Sequence, residues 1–287
     1  MGSSAAAAAR RAIRFARFDL GRVTLTRRAI RVAGFDVRRL SRTRRNSDFP
    51  WDDFDSEWYR AHNYLRLRDD DAEIMRRVAT FLSGHAASLP AAPRGLDIGS
   101  GANLYPAMAM LPFCADIDLW DFSASNVRWL QAQRDYYDTH WDVFWNAYRK
   151  FAAYRDVTNP RESLGRKSHV ALRSIFDLPR ANWDMGTMFF VAESLTQDPK
   201  EFWGAVRRFG RALRPGAPFA AAFMAHSVGY TVGGTFFPAV AVGPAEVEDC
   251  LSLVAEQLTI DMVETETPLR RGYGGMILAT GVARALS

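Results

Sequence analysis

Lysine is missing from the first fifty residues of this sequence, although thirteen arginines stand there. Only Asp19, Asp36 and Asp48 oppose them, so the stretch carries a net +10; the whole chain carries +5, which leaves −5 on residues 51–287. The basic character therefore belongs to an arm, and the body behind it is mildly acidic, which argues against a body shaped to grip phosphate backbones. Cysteine is scarce. Cys114 and Cys250 stand far apart without metal-ligand spacing, so two reduced thiols and no metal are expected. No apolar run approaches the roughly 18 residues of a membrane span, so no transmembrane segment is expected. The runs 217–225 and 276–283 have the length of buried strands. No secretory apolar segment is visible, and a cytoplasmic location is expected. With 287 residues, 48% of them hydrophobic, there is ample material for a core.

What the chain does contain is RGLDIGSGANLYPAM, residues 94–108. Apolar residues run into an acid, then a Gly-Ser-Gly turn, then a helix-compatible segment. Gly99 and Gly101 can adopt backbone angles that a side chain forbids, and they let a ligand approach the main chain. Asp97 ends the strand, where open α/β sheets place their ligand crevice. Two further absences narrow the ligand. A third glycine of the dinucleotide pattern would fall at 104, which is Leu, and no Lys-Ser/Thr follows as in a phosphate loop. The next strand, DIDLWDFS, ends in Asp121, twenty residues after Gly101. A carboxylate there can accept both hydroxyls of a ribose. A ribose site without a pyrophosphate loop points to S-adenosylmethionine as cofactor.

The arm, residues 1–50, interleaves arginine and alanine with apolar residues in parts that read as amphipathic helix. Binding of acidic lipid or nucleic acid, targeting, and packing on a second subunit as a homodimer all remain open for it, beside a purely accessory role. Residues 51–287 form the body. Helices over 51–92 cap it, with Ile74, Met75, Val78, Phe81 and Leu82 on one face. After the glycine turn come a short helix from 105, a strand over 115–120 and a helix from 123, N-capped by Ser123. An aromatic insert spans 137–167; its three- and four-residue spacing fits helix packing, and Trp145 within it is also a candidate wall for a flat substrate. A strand over 170–179 is expected to end at Asp177, whose carboxylate can accept an adenine amino group. The stretch 183–195 reads as a strand that leaves the sheet at Ala192-Glu193. A helix over 199–213 precedes a strand over 217–225. Residues 227–243, with His226 and Tyr230 at their start, form a cap over the pocket. Helix 244–257 and strands 259–266 and 276–284 close the chain. The alternation predicts one doubly wound, Rossmann-like α/β domain of three αβα layers, its seven-stranded sheet finishing on an antiparallel strand.

LDIGSGANLYPA followed by WDFSASN resembles the nicotinamide, phenylethanolamine and thioether methyltransferase family of class I methyltransferases, and FDSEWYRAHNY, VAESLTQD and RALRPGA fit the same pattern. The resemblance spans 54–286. It implies that Tyr59 and Tyr64 close over the cofactor, that Gly99, Ser100 and Gly101 hold its amino-acid end, and that Tyr105 bonds its carboxylate. It further implies Asp121 on the ribose, Phe122 and Asn126 at the adenine end, and Phe176 with Asp177 on the adenine amine. Glu193 falls where amine-methylating members carry an acid near the substrate nitrogen. The substrate half departs from the family: His226 or Ser227 stands where an acid is found, and Gly274 or Gly275 where an Asn or Asp grips substrate.

The expected activity is N-methylation of a small aromatic or heteroaromatic amine, with Glu193 and His226 as candidate bases and Trp145, Glu193, His226 and Tyr230 as substrate contacts. O- or S-methylation is the neighbouring reading, and a non-catalytic S-adenosylmethionine-binding protein whose arm touches nucleic acid or membrane is the reading from another class. Ala192-Glu193-Ser194-Leu195 stands where nucleic-acid methyltransferases carry an Asn-Pro-Pro-Tyr type motif, so a nucleic-acid acceptor is not expected.

Overall fold

The strand order β3-β2-β1-β4-β5-β9-β8 defines the seven-stranded sheet of this protein. We describe a computed structural model that covers residues 45–264 and 274–285; the arm up to residue 44 and most of the turn at 270–275 lie outside the described residues. In chain order the elements are α1 (Ser56–Asn63), α2 (Asp69–His85), β1 (Arg94–Ile98), α3 (Tyr105–Met110), β2 (Asp116–Asp121) and α4 (Ala124–Asp135). The insert follows as α5 (Trp141–Tyr148), α6 (Ala152–Arg155) and α7 (Pro160–Lys167). Then come β3 (Ser168–Leu172), β4 (Met185–Phe189), α8 (Pro199–Ala212) and β5 (Pro218–Met224). The hairpin β6 (Gly229–Val232) and β7 (Thr235–Pro238), α9 (Pro244–Leu251), β8 (Ala255–Val263) and β9 (Met276–Ala283) complete the described part. Strands β1 to β5 run parallel, and β9 is antiparallel to both β5 and β8. The doubly wound sheet expected from the alternation of strands and helices is the one observed.

The pleat sorts side chains onto two cores. On β5, Phe219, Ala221 and Phe223 enter the core under α8 and α9, whereas Ala220, Ala222 and Met224 enter the one under α2 and α3. Helix α8 shows how sequence writes its own boundaries. Asp198 accepts the Lys200 N–H, Pro199 takes the first turn, and Phe202, Ala205, Val206 and Phe209 turn inward at helical spacing. The parallel strands bring the ends of β1, β2 and β4 to one edge, where the glycine turn sits. No described helix is long and apolar enough to cross a membrane.

The aromatic insert is core. Trp141, Phe144, Tyr148 and Tyr154 are fully buried. The Tyr148 and Tyr154 hydroxyls donate to the main-chain carbonyls of Tyr105 (3.0 Å) and Ala109 (2.8 Å) on α3. Phenol tips satisfied on a helix backbone explain why this run backs α3 instead of walling a pocket. Several element ends differ from expectation: β4 already ends at Phe189, short of Ala192. Strand β3 stops at Leu172, the residue that pairs with Asp121 at the end of β2. Strand β8 begins at Ala255, so α9 is shorter than its apolar pattern suggests.

Candidate active site

Above the carboxyl ends of β1, β2 and β4 lies an open cleft, where open α/β sheets receive their ligands. Its floor is the glycine turn. Gly99 (φ +67°) and Gly101 (φ +54°) both occupy the left-handed region, which side chains disfavour. At Gly99 space forbids a side chain as well, because a Cβ would stand 2.6 Å from both methyls of Val191. The turn is fastened below by the Gly99 N–H, which donates to the Trp120 carbonyl at 2.7 Å.

Asp121 ties the turn to the next corner. Its Oδ2 accepts the Gly101 N–H at 2.8 Å, and its Oδ1 accepts the Ser123 N–H at 2.8 Å and the Asn126 amide at 3.2 Å. Burial raises this carboxyl above the usual range, against the pull of those donors. Donors from the turn and from the next corner therefore face both of its oxygens. Asp97 is 1% exposed; its Oδ1 accepts the Thr187 hydroxyl at 2.8 Å, while Oδ2 meets no hydrogen-bond partner among the described residues. Burial pushes Asp97 up to about 7. Ser100 also lines the cleft, its hydroxyl returned to the Asp97 carbonyl.

A strap over residues 46–56 closes one side. The Ser123 hydroxyl donates to the Trp51 carbonyl (2.6 Å), Asp52 accepts the Ala124 N–H (2.9 Å), and the Ser56 hydroxyl donates to Asn126 Oδ1 (2.7 Å). Trp51 in turn stacks on Phe237 of the β6–β7 hairpin at 5.1 Å between ring centroids. That hairpin turns through Gly233 and Gly234, both at positive φ, as a two-residue connection requires. Tyr59, Tyr64 and Phe122 line the cleft beside the turn, and Tyr230 joins them from the hairpin. At the end of β4, Phe189 lines it in extended conformation and Phe190 at φ +61°; a strained non-glycine residue of this kind concentrates at functional sites.

Of the residues expected from sequence, the structure brings Tyr59, Tyr64, Gly99, Ser100, Gly101, Asp121, Phe122, Asn126 and Tyr230 to the cleft wall, with Asp97 buried in β1 two residues before Gly99. Six others are elsewhere. Asp177 is exposed at the end of a 3-10 turn, because β3 ends five residues before it; Phe176 packs on α8, and Arg173 and Ile175 line the cleft in their place. Trp145 is buried among Tyr148 and Tyr154 in the insert. Tyr105 is fully buried and donates its hydroxyl to Asp71 Oδ1 at 3.0 Å. His226 is exposed beyond β5 at φ +57°, close to Gly243 and Gly274, and does not line the cleft. Glu193 is fully buried under the wall, where Oε1 accepts the Met224 N–H (2.9 Å) and the Ser194 hydroxyl (3.2 Å). The cleft-facing group at that point is Ser194. Sequence reasoning missed Asn103, Arg173, Ser194 and the strap residues Asn46, Trp51 and Phe54; the aromatic cluster at 49–54 was the available signal for the strap.

These residues fit an adenosyl amino acid. The Gly99 cradle admits only backbone, Asp121 offers an acceptor to a hydroxyl, Phe122 and Ile175 offer apolar faces, and the unpartnered Asp97 Oδ2 suits an ammonium group. Asp97, Gly101, Asp121 and Phe122 are the residues that would hold it.

A model of the NNMT/PNMT/TEMT family matches residues 44–273. Among solved structures, a magnesium protoporphyrin IX methyltransferase from Synechocystis with bound SAM is similar at 13% identity, covering 82% of this chain and 93% of its own, with a TM-score of 0.50. A 1,6-didemethyltoxoflavin-N1-methyltransferase from Burkholderia thailandensis is similar at 14% identity, with 80% and 85% covered and a TM-score of 0.49. At these identities the likeness concerns the fold alone. No curated protein matches the chain.

Proposed function

Because the chain belongs to the NNMT/PNMT/TEMT family, we propose that it N-methylates a small aromatic or heteroaromatic amine. It is an S-adenosylmethionine-dependent methyltransferase, and the finer statement concerns the acceptor. The observation that carries it is the aromatic lining of the cleft, where Phe54, Tyr59, Tyr64, Phe189, Phe190 and Tyr230 offer ring faces and edges to a flat molecule.

When bound, S-adenosylmethionine supplies a methyl group already activated on a sulfonium. The protein's share is to align the acceptor, exclude water and deal with one proton. The strap and hairpin exclude water. The Ser194 hydroxyl spends its proton on Glu193, so its lone pairs are free to accept an N–H from the acceptor. As the acceptor nitrogen loses its proton to Ser194 Oγ, the serine proton moves to the Glu193 carboxylate. In this reading Glu193 acts as a base through its neighbour Ser194, and His226, exposed outside the cleft, takes no part.

A methyl-transfer screen over aromatic amines, phenols and thiols tests this reading. Turnover of amines is expected, with Ser194→Ala and Glu193→Gln each lowering kcat about 10- to 100-fold and leaving S-adenosylhomocysteine affinity within a few-fold. Turnover confined to phenols or thiols would transfer the assignment to O- or S-methylation, and cofactor binding without any turnover would favour a sensor.

Asp97 makes cofactor binding pH-dependent. Its carboxyl is held near 7 by burial, and an ammonium ligand selects the ionised form. Affinity for S-adenosylhomocysteine should therefore be full above pH 7 and fall about tenfold per pH unit below it, with a proton released on binding near pH 7. Calorimetry in buffers of different ionisation enthalpy measures that release. A pH-independent affinity between 5.5 and 8 would remove Asp97 from the ammonium.

A further inference from the structure

The turn that carries the glycines ends on Asn103, which is 6% exposed and lines the cleft. Its Oδ1 accepts the Tyr105 N–H at 3.1 Å at the start of α3. This contact fixes which way the amide points, since a flipped amide would set Nδ2 against another donor. Nδ2 is consequently committed to its present position, and there it is buried without a hydrogen-bond partner among the described residues. A buried donor left unmade is costly, and few are tolerated without a reason. Asp97 Oδ2, at the other end of the same turn, is a buried acceptor in the same condition. One orphaned donor and one orphaned acceptor beside one turn complement a zwitterion: the donor suits a carboxylate and the acceptor an ammonium.

Tyr105 cannot fill the donor's role. A phenol has one proton to give, and Tyr105 gives it to Asp71 Oδ1 at 3.0 Å. Both side chains are sealed in the core: Tyr105 is edge-on to Tyr64 and Phe189 and stacked on Phe144, and Asp71 is 1% exposed. Asp71 is itself placed in the first turn of α2, where the helix dipole favours an acid.

We propose that Asn103 is the residue that anchors the carboxylate of the cofactor's amino-acid end, and that Asp71 withdraws Tyr105 from that task. The inference rests on S-adenosylmethionine as the cofactor and assigns its carboxylate to a side-chain amide. Tyr105 becomes a positioning residue: its N–H orients the Asn103 amide, and its hydroxyl locks α3 to α2.

Three ligands separate the possibilities by calorimetry with the full chain: S-adenosylhomocysteine, its decarboxylated analogue, which keeps the ammonium, and 5′-methylthioadenosine, which lacks both groups. Asn103→Ala is expected to weaken S-adenosylhomocysteine about 10- to 100-fold, the range of a charged hydrogen bond, and to leave the other two within two-fold. Tyr105→Phe is expected to leave all three within about three-fold. Loss of S-adenosylhomocysteine alone in Tyr105→Phe, with Asn103→Ala neutral, would reverse the assignment. Equal weakening of all three ligands in Asn103→Ala would make Asn103 a support of the loop and overturn the inference. Failure of the unaltered protein to bind any of the three would overturn the cofactor assignment first and this inference with it.

Discussion

Asp121→Ala should reduce affinity for S-adenosylhomocysteine about 10- to 100-fold and lower the melting temperature as well. The two losses have one origin. The carboxylate that would hold a ribose hydroxyl is also the acceptor for the Gly101 N–H, the Ser123 N–H and the Asn126 amide. Removing it forfeits a charge-assisted contact to ligand, about 1.5–3 kcal/mol, and leaves buried donors unmade at about 1–3 kcal/mol each. Asp121→Asn tests the argument more sharply. Donors face both oxygens of the native carboxylate, so an amide NH₂ confronts a donor in either orientation. The conservative change should accordingly cost nearly as much affinity as the truncation. An Asn variant that binds like the native protein would show that the carboxylate only shapes the corner.

Gly99→Ala should abolish measurable cofactor binding. The left-handed backbone disfavours a Cβ by roughly 1–2 kcal/mol, and that Cβ would lie 2.6 Å from Val191 Cγ1 and Cγ2, a separation no packed pair of carbons sustains. Val191 belongs to the segment after β4 that carries Phe190 and leads into Ser194. Displacing it therefore moves the acceptor wall together with the cofactor floor. Relief should come from the second partner: Val191→Ala introduced into Gly99→Ala removes the two colliding methyls and should recover part of the affinity. Calorimetry on the single and double variants decides the matter. Undiminished binding in Gly99→Ala, or no recovery in the pair, would mean that the turn yields more readily than its contacts indicate.

Arg173 and Asp177 show where reading from sequence reached its limit. The pattern VALRSIFDLP is apolar far enough to run a strand to Asp177, yet β3 ends at Leu172 because its neighbour β2 ends at the paired Asp121. Strand length is a property of the pair, and one strand's pattern does not contain it. Glu193 lies in the expected segment, but its carboxylate turns inward to meet the Met224 N–H on β5, a partner 31 residues away. Trp145 obeys the helical spacing of its segment, which fits helix packing, and its burial agrees with that spacing.

The sequence by itself determined the features that local stereochemistry controls. Two glycines at positive φ, an acid at a strand end, a serine cap on α4 and the alternation of strands and helices are each written within a few residues, and they suffice for the doubly wound sheet, the cofactor class and the cleft floor. The tertiary structure decided how groups with several candidate partners were shared out. Tyr105 had one proton and could give it to a ligand or to Asp71; Asn103 had an amide that either end of the turn could use; Glu193 could face the cleft or the core. Such choices depend on which donors and acceptors the fold brings within about 3 Å, from elements tens of residues apart, and a buried polar group takes whichever partner is there.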